Sequence, residues 1–262
     1  MATDTGDELT MPSVATRLPD EWAQAMVAVV VPTYNEATNL PMIAERLLGL
    51  PLPNLRLIVV DDSSPDGTGR IADALVEATP ERVAVVHREV KDGLGRAYVA
   101  GMRAALDSGA EFVVQMDADL SHQPETIPEL LGTALATDAG LVIGSRYVVG
   151  GSLSAQWGRH RRLLSRAGSL YVNLVLGLRI RDTTGGFKLW RSDVLTAIGD
   201  GVVSNGFSFQ IEMNYRALRL GTKIVEIPIH FEERYSGTSK ISLAVQLEAL
   251  VVPWRLRAGV RR

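Results

Sequence analysis

Apolar residues come in short blocks along this chain, and polar clusters separate them. Met26-Val-Ala-Val-Val-Val31 is an unbroken, largely β-branched run, the pattern of a strand buried on both faces of a parallel sheet. Pro32 is expected to end it, with Pro32–Glu36 as a turn and a helix from about Asn39 to Leu50, broken by Pro51 and Pro53. Leu55–Val60 repeats the strand pattern and runs into Asp61-Asp62-Ser63-Ser64; a turn at Pro65–Thr68 then leads to a helix over Gly69–Ala78. Arg82–His87 predicts a third strand, Gly93-Leu-Gly-Arg-Ala97 opens a helix reaching about Ser108, and Glu111–Met116 predicts a fourth strand.

Strand alternating with helix predicts an α/β domain with a mostly parallel sheet and helices on both faces. Ligands of such sheets bind beyond the carboxyl ends of the strands. Three polar clusters are expected there: Pro32–Glu36, Asp61–Ser64 and Asp117–Asp119. The second half is less regular. It predicts a strand at Ala139–Ile143, a helix over Ser154–Leu178, a glycine-containing loop at Thr183–Lys188, a helix at Ser208–Leu220 stopped by Gly221, and a last strand at Lys223–Phe231. Ile241–Leu256 is apolar at helical spacing and is interrupted by Pro253. The organisation expected is a flexible segment over 1–25, one domain over 26–240 and an amphipathic, basic helix over 241–262.

Composition narrows the class. The 262 residues are 46% hydrophobic and 22% charged, ample for a sizeable core. A net charge of −3 gives no global attraction to nucleic acid, and no nucleic-acid partner is expected. With no cysteine there is no disulfide and no thiolate metal site. The polar start, Met1–Asp20, lacks the apolar centre of a signal peptide, and no run of about 18 apolar residues suggests a membrane span. Charge is uneven: six arginines and no acid lie between Arg159 and Arg181, and Arg255, Arg257, Arg261 and Arg262 crowd the C-terminus. Such runs read as a solvated face or, beside apolar stretches, as a membrane-facing one.

Asp117-Ala-Asp119 carries the most chemistry. Side chains two apart along a strand share a face, so two carboxylates at a strand end repel unless a cation is near. They are hard oxygen ligands suited to Mg²⁺ or Mn²⁺, with the remaining positions left to water and phosphate oxygens. The other reading of an isolated Asp-x-Asp is a solvated turn or a helix cap.

The motifs together resemble a family. Val31-Pro-Thr-Tyr-Asn-Glu36, Val60-Asp-Asp-Ser-Ser-Pro-Asp-Gly67, Met116-Asp-Ala-Asp-Leu120, Gly144-Ser-Arg-Tyr147 and Gly237-Thr-Ser-Lys240 occur in the order and spacing of the family 2 GT-A glycosyltransferases. Asp-Ala-Asp-Leu-Ser-His, Gly-Ser-Arg-Tyr and the final Ser-Lys are most similar to the polyprenol (dolichol) phosphate mannose synthases. The resemblance spans roughly Val27 to Lys240. It implies a GT-A fold and inverting, metal-dependent transfer of mannose from GDP-mannose to a polyprenyl monophosphate. A UDP-sugar donor and a non-catalytic nucleotide-sugar-binding subunit are the alternatives.

The resemblance also implies roles. Pro32, Tyr34 and Glu36 match the loop around the donor nucleotide; Asp62 matches the acid meeting the base, with Asp61 bracing the turn or both capping a helix. Asp117 and Asp119 match the metal ligands and Asp119 a catalytic position, the cation being Mg²⁺ or Mn²⁺. Some relatives place a Gln two residues after the second Asp, where this chain has Ser121. Arg146, Arg161, Arg234 and Lys240 match cations around the donor diphosphate and acceptor phosphate, with Arg234 and Lys240 at the reacting centre. His122 is either a metal ligand or, as favoured, a structural hydrogen-bonding group. An ionised phosphate acceptor needs no strong general base. A lipid acceptor implies a membrane surface, reached peripherally from the cytoplasmic side by Ile241–Leu256 or through a membrane-anchored partner protein. A core-packed terminal helix is the other reading of that segment.

Overall fold

A computed structural model of the chain describes residues 17–154, 157–199, 201–204, 206, 208–232 and 243–259. The elements in chain order are α1 (Asp20–Ala23), β1 (Val27–Thr33), α2 (Asn39–Leu48), β2 (Leu55–Asp61), α3 (Thr68–Ala78), β3 (Val83–His87), α4 (Leu94–Asp107) and β4 (Phe112–Gln115). A short 3₁₀ turn, Pro124–Thr126, leads into α5 (Ile127–Thr137). Then come β5 (Leu141–Ser145), β6 (Ser152–Leu153), α6 (Arg159–Leu176), β7 (Lys188–Arg191), α7 (Ser192–Ile198), α8 (Ser208–Arg219), β8 (Ile224–Pro228), β9 (His230–Phe231) and α9 (Leu243–Gly259).

Seven strands form one sheet in the order β3-β2-β1-β4-β7-β5-β8, and β6 pairs with β9 in a two-stranded ribbon. All neighbours in the large sheet are parallel except β7, which is antiparallel to both β4 and β5. The sheet carries a core on each face. Val27, Val29 and Val31 point into one with α2 and α5; Ala28 and Val30 point into the other with α4, α6 and α8. This alternation along one apolar run is why β1 reads as hydrophobic throughout. Gly101 lets α4 lie close on the sheet, since a Cβ there would come within 2.3 Å of Val30 Cγ1.

The expected order of elements through β4 is the order observed. Pro32 does not end β1: the strand continues to Thr33, paired with Asp61 of β2. The register explains it. Val30 gives its carbonyl to Met116 and Thr33 gives its own to Asp62, so residue 32 faces the side where β4 has already ended, and its missing N–H breaks no ladder bond. Likewise β4 stops at Gln115, and Asp117–Leu120 bend away with Leu120 at φ 61°. The aspartates therefore sit in the loop after the strand and do not project from its face.

β7 was not foreseen; Lys188–Arg191 falls where a loop was expected to end. Its antiparallel course has a consequence: the loop before it, 182–187, enters at the same sheet edge as the ends of β4 and β5 (Gln115 opposite Lys188, Ile143 opposite Lys188). Residues 1–16 of the segment expected to be flexible lie outside the described residues. Leu18, Ala23 and Ala25 pack against the core, and α1 contacts α5. At the other end α9 continues past Pro253 as one helix and packs on α6 and α8. Val252 and Leu256 are buried in the core while Leu250, Val251 and Trp254 are exposed, so the helix is apolar on both sides and not simply amphipathic.

Candidate active site

Strand order reverses direction at β1: the chain moves outward through β2 and β3, then returns to β4 on the other side. Loops diverge at such a point and leave a crevice. Two of the three polar clusters are stitched together there. Asn35 N–H donates to Ser64 Oγ (3.1 Å), Glu36 N–H to Thr68 Oγ1 (2.9 Å) and Ala37 N–H to Asp66 Oδ2 (3.0 Å). Asn35 and Ser63 both hold positive φ (60° and 57°), a conformation that non-glycine residues keep only when their surroundings impose it. Asp61 braces the turn, accepting from Ser64 Oγ at 2.5 Å and from Thr33 Oγ1 at 3.3 Å. Lys91 lies over the Tyr34 ring, 3.3 Å from its centroid.

Asp62 is nearly buried, and Arg88 from the end of β3 pairs with it at 2.5 Å. Burial pushes the Asp62 carboxyl above its ordinary pKa despite that arginine. Arg88 also pairs with Asp92 and so ties the β2 loop to the segment before α4. Nothing local in the sequence marks Arg88; its role depends on β3 lying beside β2.

Asp117 and Asp119 are held individually. Tyr98, fully buried on α4 and stacked on Phe209, donates its hydroxyl to Asp117 Oδ1 at 2.6 Å. Burial, then the Asp117 charge, push the phenol pKa well above its usual value, so it stays a donor. Ser121, where some relatives carry Gln, donates both its backbone N–H (3.1 Å) and its hydroxyl (2.5 Å) to Asp119 Oδ1. Gly186, in the loop before β7, lies against the first carboxylate: a Cβ there would come within 3.0 Å of Asp117 Oδ2.

His122 is buried and packed among aromatic rings beside this loop. The Asp117 N–H donates to its Nδ1 at 3.5 Å, and the ring is stacked on Phe187 and meets the edge of Phe231. Burial lowers its pKa against the pull of Asp117 and Asp119, which keeps the imidazole neutral.

Arg146 follows β5 in a buried position. Its Nε and Nη2 grip Asp182 at 2.7 and 2.6 Å, and Nη2 also donates to Thr184 Oγ1 at 3.2 Å. Burial alone would raise the pKa of Asp182, but the Arg146 charge and hydrogen bonds outweigh it and hold the carboxyl below the usual range. Two guanidinium nitrogens thus form a bidentate anchor for the loop before β7. Arg161, at the start of α6, lies over Trp157 with 4.5 Å from its guanidinium carbon to the ring centroid. Arg234 and Lys240 lie outside the described residues.

Behind this edge sits Lys188, fully buried on β7. Its ammonium donates to Gln210 Oε1 (2.7 Å) and Asn214 Oδ1 (2.8 Å) of α8, and Asn214 in turn donates to the Thr183 carbonyl at 3.0 Å. Burial lowers its pKa to about 7.

Among the described residues no three His, Cys, Asp or Glu side chains converge on a point. A divalent cation here would have Asp117 and Asp119 as protein ligands, with water and diphosphate oxygens completing the shell. The residues fit that role: both carboxylates are hard donors, each is oriented by a hydrogen bond to one oxygen, and the backbone at Gly186 is bare beside Asp117.

A model of the family described as Glycosyl transferase family 2 matches residues 28–199. The chain is 47% identical over 235 residues to an undecaprenyl-phosphate mannosyltransferase of Micrococcus luteus, covering 88% of this chain and 95% of that protein. It is 45% identical over 239 residues to a polyprenol monophosphomannose synthase of Mycolicibacterium smegmatis, covering 89% and 88%. Among solved structures it resembles glucosyl-3-phosphoglycerate synthase from Mycobacterium tuberculosis in complex with Mn²⁺, UDP-glucose and phosphoglyceric acid. There the TM-score is 0.66 at 21% identity, covering 92% of this chain and 82% of that one. At that identity the likeness speaks for the fold, and the expected α/β architecture stands.

Proposed function

The chain belongs to glycosyl transferase family 2, and from that premise we propose that it transfers mannose to a polyprenyl monophosphate, with GDP-mannose as the donor and a divalent cation, Mg²⁺ or Mn²⁺, as cofactor. The observation that carries this reading is the Asp117–Asp119 pair, each carboxylate oriented by its own donor at the edge where the strand ends gather. Relatives named for this transfer share 45–47% of their residues with the chain over most of its length.

Each residue then has a task. Pro32, Tyr34 and Glu36 form the wall for the donor nucleotide, and Asp62, fixed by Arg88, closes it at the β2 end. Asp117 and Asp119 would hold the cation, which would supply charge neutralisation for the departing diphosphate. Arg161, Arg234 and Lys240 attract the acceptor phosphate, and Arg146 shapes the pocket through Asp182. The acceptor oxygen, already ionised, attacks C1 of mannose as the C1–O bond to GDP breaks, so no proton need be removed. Attack opposite the leaving group gives the β-linked mannosyl phosphate. His122, neutral and stacked, is no base in this scheme.

The acceptor is a lipid, so the protein works at a membrane surface, on its cytoplasmic side, with or without a membrane-anchored partner. No helix among the described residues is long and apolar enough to cross a membrane, which supports peripheral attachment. The test supplies the protein with polyprenyl phosphate in vesicles, Mn²⁺ and either labelled GDP-mannose or labelled UDP-glucose. Label entering the lipid phase from GDP-mannose supports the proposal. Label from UDP-glucose instead, or from neither donor, contradicts it.

A further inference from the structure

Helix α6 has two apolar faces, and the fold uses only one. Val172, Val175 and Leu176 are buried in the core. On the opposite side Leu163, Leu170 and Leu174 are 71%, 70% and 80% exposed, and with Ala167 they follow the spacing i, i+4, i+7, i+11 of a single stripe. Tyr171, beside that stripe, donates its hydroxyl to the Leu250 carbonyl of α9 at 2.6 Å. This bond brings the exposed Leu250 next to the stripe, and Val251 and Trp254 extend the apolar surface along α9. A contiguous apolar surface rimmed by polar groups marks a surface that is covered in use.

Charge selects the occupant. α6 contains no acidic residue, Arg166 is exposed at the edge of the stripe, and Arg255 and Arg257 are exposed on α9. A second copy of the chain docked through α6 would set that helix's cations against one another, because α6 has no acid to pair them. An anionic bilayer would satisfy them while taking up the leucines. Position agrees: Arg161 lies over Trp157 and Arg166 over Tyr147, and Arg146 lies near both rings, so the N-terminal half of α6 sits beside Arg146.

We propose that the exposed leucine stripe of α6, continued by Leu250, Val251 and Trp254 of α9, is the surface by which this protein docks on anionic lipid bilayers, so that its pocket meets an acceptor still embedded in the membrane. The second clause rests on the transfer proposed above; the docking itself does not. The test uses the full chain, protein-free vesicles of phosphatidylcholine with or without phosphatidylglycerol, and the variant Leu170→Glu/Leu174→Glu. Both leucines are exposed, so the substitution leaves the core intact, and circular dichroism checks this.

Wild type is expected to co-sediment with the anionic vesicles, less so in high salt. The variant is expected to bind them about tenfold less or weaker still. Its turnover on a short, water-soluble prenyl phosphate should equal that of wild type, while turnover on the long acceptor in vesicles falls with binding. Equal sedimentation of the two proteins overturns the proposal. So does light scattering that finds a wild-type dimer and a variant monomer, for the stripe then serves a second copy. Failure of wild type on the short acceptor counts against the transfer reaction alone, because sedimentation still decides the docking surface.

Discussion

At the scale of single residues, the side chains proposed to do chemistry are held by others with no such role. Tyr98 is the clearest case: its hydroxyl fixes one oxygen of Asp117 from a fully buried position on α4. Tyr98→Phe keeps the ring and its stacking on Phe209 but removes the donor. Loss of a group that orients a metal ligand weakens metal affinity about tenfold or more. Titrating Mn²⁺ into the variant, followed by electron paramagnetic resonance, should show that loss with little change in thermal stability; an unchanged affinity contradicts the role. Asp182 behaves differently, because it neutralises a buried guanidinium. Asp182→Ala strands Arg146 and should destabilise the fold by about 3 kcal/mol in chemical denaturation. A loss below about 1 kcal/mol would show that water or another acid compensates. The Asp117–Asp119 pair and Asp61 were legible in the sequence because their motif places them next to recognisable strands. Tyr98, Arg88 and Asp182 were not, since each acquires its role only from a partner 19, 26 or 36 residues away in the chain.

At the scale of elements, β7 organises the second half of the site. It was illegible for a physical reason: four residues with a charged group at each end look like loop, and only the fold shows that Lys188 finds its acceptors on α8. The pKa of Lys188 is about 7 in the folded chain, against about 10.4 when unfolded. Between those values the unfolded chain binds more protons, so this lysine makes stability rise with pH from about 7 upward. Lys188→Met should lack that rise. Denaturation midpoints of both proteins from pH 6 to 10 test it, and parallel curves contradict the assignment. α9 teaches the reverse lesson. Its apolar excess was legible, but its division into a core-packed side and an exposed side needed α6 and α8 beside it. For the segment carrying Arg234 and Lys240, either residue changed to Ala should lower kcat more than it weakens GDP binding by calorimetry. Unchanged catalysis with lost nucleotide affinity would reassign them to the donor.

At the scale of the whole molecule, the parallel half of the sheet was predictable because each βα unit announces itself by an apolar run and a polar strand end. The mixed half was not, because an antiparallel insertion leaves no such periodic signature. What the complete fold adds is convergence: loops after β1 and β2 are stitched together, while those after β4 and β5 and before β7 meet at the same edge, so carboxylates and arginines distant in the chain gather at one edge of the sheet. On the proposed function, this edge transfers mannose to a lipid phosphate through the Asp117–Asp119 pair. The most direct measurement is the rate at which label from GDP-mannose enters an organic-extractable product with saturating Mn²⁺, for wild type and Asp119→Asn. Wild type is expected to transfer label, EDTA to abolish that transfer, and the variant to be at least a hundredfold slower, since losing about 3 kcal/mol of transition-state stabilisation costs that much. Equal rates for the two proteins, or full activity of wild type in EDTA, would contradict it.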